Sequence, residues 1–151
     1  MVSQQLPYRS ELRARHAITG EATPYHISHS HALERIRRTV PNAKLLIMLQ
    51  NPIYKQRGIY IDQSKPSYDV FSPNQILLLQ SEELFGDTER VMADVYALLG
   101  VDSTFVPENL APRNAGRYSA EIDAGLQQYL GDYFAPHNLR LYDFLQRDLG
   151  W

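Results

Sequence analysis

Two short apolar runs stand out along the chain: Lys44-Leu-Leu-Ile-Met-Leu49 and Gln75-Ile-Leu-Leu-Leu79. Neither alternates polar with apolar positions. Turn-forming residues bound both, Pro41-Asn42 before the first, Asn51-Pro52 after it and Ser72-Pro73-Asn74 before the second. This pattern predicts strands buried on both faces, as in a parallel sheet. Parallel strands need a crossover of about a dozen residues or more, and the stretch from Gln50 to Asn74 is long enough for a βαβ unit. Pro66 and the polar run Gln63 to Ser67 leave room for only a short helix there, so the crossover is expected to be cramped.

Helical spacing is clearer elsewhere. From Ser30 to Thr39, Leu33, Ile36 and the following Val40 fall on one side, opposite Glu34, Arg35, Arg37 and Arg38. Asp87 suits the N-cap of a helix running to Leu99, with the stripe Val91, Val95, Leu98 and Leu99, and Gly100 suits its exit. Val101 to Ala115 holds Pro107 and Pro112 and little periodicity, which predicts a long loop. Ser119 can cap a helix bearing Ile122, Leu126, Tyr129, Leu130 and Tyr133. Ala135-Pro136 then predicts a break, followed by a last helix with Leu141, Tyr142, Leu145 and Leu149. No internal repeat or linker interrupts the sequence.

Composition narrows the reading without redirecting it. At 151 residues, 44% hydrophobic and 21% charged, the chain is sized and mixed for one globular domain. A net charge of -2 provides no overall basic field for nucleic acid or an anionic membrane, so any anion site is local. The absence of cysteine excludes disulfide scaffolds, zinc-thiolate sites and thiol catalysis. Met1 to Arg15 has no apolar signal-peptide core, and the longest apolar run, Leu45 to Leu49, is far short of the ~20 residues of a membrane helix. A soluble, cytoplasmic protein without a nucleic-acid or membrane partner is the expectation.

Three groups of residues can carry chemistry. His26, His29 and His31 form H-x-x-H-x-H, but the spacing is loose for zinc and no further ligand is close, so they read as histidines at a helix entry and no metal is expected. Glu21 lies in Thr19-Gly20-Glu21-Ala22-Thr23-Pro24-Tyr25, after a short apolar segment. A carboxylate at the carboxyl edge of an α/β sheet can act as a general base, whereas a glutamate in a turn is more often only solvated. Lys55 and Arg57 follow the first strand, and Arg113 and Arg117 flank Gly116. Guanidinium groups beside glycine-bearing backbone suit phosphate, while the alternative is plain surface charge. Neither G-x-x-x-x-G-K-[ST] nor G-x-G-x-x-G occurs, so a self-contained nucleotide-phosphate cradle is missing.

Taken in order, six segments resemble consecutive blocks of the bacterial and heparan-sulfate-type sulfotransferases: Thr19 to Tyr25, His29 to Ile36, Pro41 to Leu45 leading to Gln50-Asn51-Pro52, Gly58 to Gln63, Gln75 to Phe85, and Phe134 to Tyr142. The resemblance divides the chain into a polar segment, 1–16, and a sulfotransferase-like domain, 17–151. It implies an α/β fold like that of P-loop nucleotide kinases, three layers with a small parallel sheet flanked by helices. It also implies transfer of a sulfuryl group from 3′-phosphoadenosine 5′-phosphosulfate (PAPS) to a hydroxyl or amine acceptor such as a carbohydrate. Under it Glu21 is the catalytic base, and Lys55, Arg57, Arg113, Gly116 and Arg117 are the residues left to bind the donor.

The departures matter as much. Family members open with a phosphate loop of the form P-K-[SAT]-G-[ST]-T, and nothing before Glu21 resembles it. The block R-N-P-x-x-R-x-x-S-x-Y has Gln50, Lys55 and Gly58 where its two arginines and its serine would stand, and it merges with G-x-Y-x-x-Q at Tyr60. The expectation is an incomplete domain, with the phosphate loop and a central helical stretch gone and activity impaired. Loss of a strand would leave a sheet edge to be covered by a second copy or another chain. A non-catalytic binding protein, or a fragment of a larger enzyme, is the competing reading.

Overall fold

The computed structural model describes residues 18–22, 30–50, 58–111 and 123–151. Its centre is a pair of parallel strands, β1 (Leu45–Leu49) and β2 (Ile76–Gln80), with Leu45 opposite Ile76 and Leu49 opposite Gln80. Five α-helices accompany them among the described residues: α1 (Ser30–Thr39), α2 (Tyr60–Val70), α3 (Ser81–Gly86), α4 (Thr88–Leu99) and α5 (Ala124–Leu145). Side chains alternate across a strand, so Leu45, Ile47 and Leu49 face one way with Ile76, Leu78 and Gln80. On that side Leu33 of α1, Ile61 of α2, Phe71, Leu141 of α5 and Leu149 complete the main core. On the other side, Leu79 packs with Val91 and Val95 of α4, and Leu77, Leu84 and Leu99 close around them. Helices on both faces of a small parallel sheet make the three-layer α/β arrangement that the family resemblance implies.

Local signals place several elements as read. Helix α1 spans Ser30–Thr39, and the Asp87 carboxylate caps α4 by accepting from the Arg90 N–H at 3.2 Å. Gly100 ends α4 at φ 71°, in the left-handed region that glycine enters without strain. The amino ends of the strands are tied by side chains. Gln75 Nε2 donates to the Pro41 and Ala43 carbonyls at 2.9 and 3.0 Å, and Lys44 Nζ donates to the Asn74 carbonyl at 3.1 Å.

Three expectations are corrected. The crossover helix α2 is 11 residues long and runs through Pro66. Its buried positions, Ile61, Ser64 and Ser67, lie on one face with Phe71 beyond. Pro66 is off that face, and the carbonyl it leaves without a donor belongs to exposed Asp62, where water can reach it. The same reason overturns the break at Ala135-Pro136, because α5 continues through Pro136 as one helix of 22 residues. Phe134, Asn138 and Leu141 keep it docked on one side while Pro136 and Asp132 face solvent. Ser119, the expected cap, lies outside the described residues, and the observed cap is Asp123, which accepts from the Leu126 N–H at 3.1 Å. Third, β1 is buried on one face only. Leu49 is 1% exposed, but Leu46 and Met48 are 47% and 48% exposed, because α4 covers β2 and not β1 on that side.

Candidate functional site

Ligands of open α/β sheets sit outside the carboxyl ends of the strands. In this chain that edge gathers Gln50 after β1, Tyr60 at the start of α2, Ser81, Glu82 and Glu83 after β2, and the segment that ends at Trp151. Tyr60 occupies the middle of the group. Burial holds its phenol above the ordinary tyrosine value, with the Glu82 carboxylate adding to the rise and a hydrogen bond from the Gln50 backbone working against it. The Tyr60 ring meets that of Trp151 at 5.7 Å between centroids and 51° between planes. Trp151 is fixed in turn by Tyr142: the Trp151 N–H donates to the Tyr142 oxygen at 2.9 Å, and the Tyr142 hydroxyl donates to the Trp151 carbonyl at 3.2 Å.

Beside this aromatic group lies a cluster of charges. The Arg147 guanidinium bonds to Glu83, which holds that carboxyl below the usual glutamate range, and Arg90 adds to the effect. Arg90 is shared among Glu83, Asp87 and Asp94 at 3.6, 3.5 and 3.2 Å. Both guanidinium groups therefore already have carboxylate partners. Binding a phosphate there would mean giving those partners up, with Glu82 and Glu83 adding negative charge nearby.

The residues expected from sequence are unevenly placed. Glu21 is exposed, in the described stretch 18–22, which is neither helix nor strand. Lys55, Arg57, Arg113, Gly116 and Arg117 all lie outside the described residues, as do His26 and His29. His31 is exposed on the first turn of α1, and among the described residues no group of three metal-ligating side chains comes together. No helix among them is long and apolar enough to cross a membrane. Tyr60, Tyr142 and Trp151 were not singled out by their chemistry, although Tyr60 falls in a family block and the resemblance extends to Trp151. Their signal in sequence is aromatic rings next to strand ends, which core packing produces equally well.

No family model matches the chain. A curated relative, the membrane-associated sulfotransferase kil1 of Dictyostelium discoideum, is 25% identical over 95 residues, which is 63% of this chain and 20% of that protein. Among solved structures, a sulfotransferase from Alicyclobacillus acidocaldarius superposes with a TM-score of 0.73 at 26% identity, covering 86% of this chain and 65% of that one. The chain thus spans a fifth of the curated relative and just under two thirds of the solved structure.

Proposed function

We propose that this chain, a relative of the sulfotransferases in sequence and fold, carries a PAPS-dependent sulfuryl-transfer site at the carboxyl edge of its sheet, with activity impaired by an incomplete donor cradle. The observation that carries the reading is the parallel β1–β2 pair within a fold that matches a solved sulfotransferase at a TM-score of 0.73 and 26% identity. PAPS supplies the activated sulfuryl group when bound. Glu21 accepts the proton of an acceptor hydroxyl or amine, such as that of a carbohydrate, as the acceptor atom attacks sulfur. The bond from sulfur to the bridging phosphate oxygen breaks, and adenosine 3′,5′-bisphosphate leaves with the electron pair. Charge on that leaving group has to be met by cations.

The charge distribution supports the impaired form of this reading. Arg90 and Arg147 are engaged by carboxylates, so the donor falls to Lys55, Arg57, Arg113 and Arg117, with Gly116 giving backbone access. Losing one transition-state cation typically costs several kcal/mol, and each ~1.36 kcal/mol is tenfold in rate. The same reading takes the protein as soluble and cytoplasmic, with a second copy or partner chain over the sheet edge. A non-catalytic binding role is the second reading, favoured by the half-exposed Leu46 and Met48 on an otherwise apolar strand.

Transfer of labelled sulfate from PAPS to a panel of glycans and small alcohols tests the catalytic reading. Slow transfer that falls roughly 100-fold or more in Glu21→Gln is expected. Equal inactivity of both proteins, together with no calorimetric binding of adenosine 3′,5′-bisphosphate, favours the second reading.

A further inference from the structure

Strand β1 is a sheet edge without the usual protection. Among the described residues it pairs with β2 alone, so its second edge has no partner strand there. Edges open to water are ordinarily blunted by a charge, a proline or a bulge. Leu45-Leu-Ile-Met-Leu49 has neither charge nor proline, and its register against β2 runs without a bulge. Leu46 and Met48 lie on the face that α4 leaves open and stay half-exposed, beside Leu77 and Leu79, which α4 covers. Two things are therefore missing at this place, a strand on the edge and a helix above Leu46 and Met48.

We infer that a second copy of this chain supplies both, its β1 running antiparallel to the first about a two-fold axis at Ile47. Core-facing residues have to oppose core-facing residues, because a slip of one position turns the whole apolar set over. A slip of two leaves fewer residues paired, whereas centring on Ile47 pairs all five residues of the strand. Leu46 then opposes Met48 of the second copy, and Lys44 opposes Gln50, so no like charges meet along the pair. The second copy brings the missing helix as well. In the joined sheet the two β2 strands stand three strand spacings apart, about 14 Å. Each carries an α4 on the same face, about 10 Å across. The two helices nearly meet over the middle, and Leu46 and Met48 from both chains fill the gap between them. An extended peptide would pair with the edge but bring no helix, and this is what selects a second copy as the occupant. The inference rests on the sheet-edge part of the reading above and not on its chemistry.

The absence of cysteine makes the register directly testable. Opposed residues of an antiparallel pair have Cα atoms about 4.5–5.5 Å apart, within reach of a disulfide, whereas like positions here lie on a diagonal of about 7–8 Å, beyond it. Leu46→Cys and Met48→Cys proteins, mixed and oxidised, are expected to form a disulfide-linked heterodimer, and each alone to stay unlinked. In light scattering at micromolar concentration the wild type should have twice the mass of one chain. Met48→Lys puts a charge on the edge at a half-exposed position, so it should halve that mass and leave the circular dichroism unchanged. Because Leu46 is half-exposed in the single chain, its truncation is read in the mass rather than in the unfolding of dilute protein. A wild type of single-chain mass overturns the inference, and protected amides along β1 would then assign the edge to another segment of this chain. Crosslinking of like positions as readily as of mixed ones, or a Met48→Lys protein that keeps the wild-type mass, overturns it too. Sulfate transfer by a single-chain particle overturns the pairing and keeps the transfer reading, and a crosslinked dimer without transfer does the reverse.

Discussion

Gln80→Leu is expected to destabilise the protein although it puts an apolar side chain into an apolar place. Gln80 is 8% exposed, and its amide donates at 2.8 Å to the carbonyl of Leu149, a residue 4% exposed. Leucine has nearly the same volume and no donor, so the Leu149 carbonyl stays buried and loses its partner, a cost of about 1–3 kcal/mol. Against this, replacing roughly 40 Å² of amide surface with hydrocarbon returns about 1 kcal/mol at ~25 cal/mol per Å². At the middle of that range the carbonyl term wins, leaving a net loss of about 1 kcal/mol. At about 2–4 °C per kcal/mol for a chain of this size, Tm should fall by roughly 2–4 °C. Urea unfolding monitored by circular dichroism reads the same loss as a lower midpoint at unchanged slope. Gln80→Glu adds a signed control. Its carboxyl would face a carbonyl oxygen in a buried place, so its folded-state pKa is raised, and its stabilising protonated form is lost as pH rises through that value. The deficit of Gln80→Glu relative to wild type should therefore be larger at pH 7 than at pH 4. A Gln80→Leu protein as stable as wild type, or a Gln80→Glu deficit that does not shrink in acid, would refute the reasoning.

Three further outcomes follow from burial, backbone and ionisation. Phe71→Ala, at a residue 2% exposed, should cost about 3–5 kcal/mol, while Leu46→Ala, at one 47% exposed, should cost less than about 1 kcal/mol. Equal losses in denaturant titration would contradict the one-sided burial of β1. Pro66→Ala should stabilise α2 by about 1–3 kcal/mol, since it restores the donor to the Asp62 carbonyl and removes a ring from the helix interior; a lower thermal midpoint would show that the proline ring is needed for packing. Burial raises the phenols of Tyr60, Tyr68 and Tyr142 above the unfolded value, so the folded state keeps protons that the unfolded chain releases. Stability from this source is intact below about pH 10 and declines as pH rises through the folded values. The slope of unfolding midpoint against pH above 10 should flatten in Tyr60→Phe and Tyr68→Phe.

The strands and their parallel pairing were legible because an uninterrupted apolar run flanked by turn residues has few other uses. The strand bounds differ by one residue at the ends: Lys44 and Gln75 lie outside the strands, and Gln80 belongs to β2. Proline was misread twice for one reason. Sequence shows the missing donor at Pro66 and Pro136 but not which side of the helix it falls on, and on the solvent side water replaces the lost bond while Phe71 and Leu141 hold the helix from the core side. The exposed face of β1 was also out of reach, because Leu46 and Met48 look no different in sequence from Leu77 and Leu79. What separates them is the path of α4, a matter of tertiary packing. The candidate site was legible as motifs rather than as geometry. The cations expected there, Lys55, Arg57, Arg113 and Arg117, sit in stretches of sequence without periodicity to fix position and lie outside the described residues.

Charge is what joins this frame to its chemistry. A sulfuryl donor carries several negative charges, and the described part of the carboxyl edge presents Glu82 and Glu83 with two arginines already paired to carboxylates. Those pairs are about 40–50% exposed and worth little to stability, so they are better understood as setting the local potential than as holding the fold. Had Arg90 and Arg147 been the anion ligands, nearby carboxylates would compete with the ligand for the same guanidinium forks. An edge neutralised in this way can hold a polyanion only if cations arrive from the connections on either side.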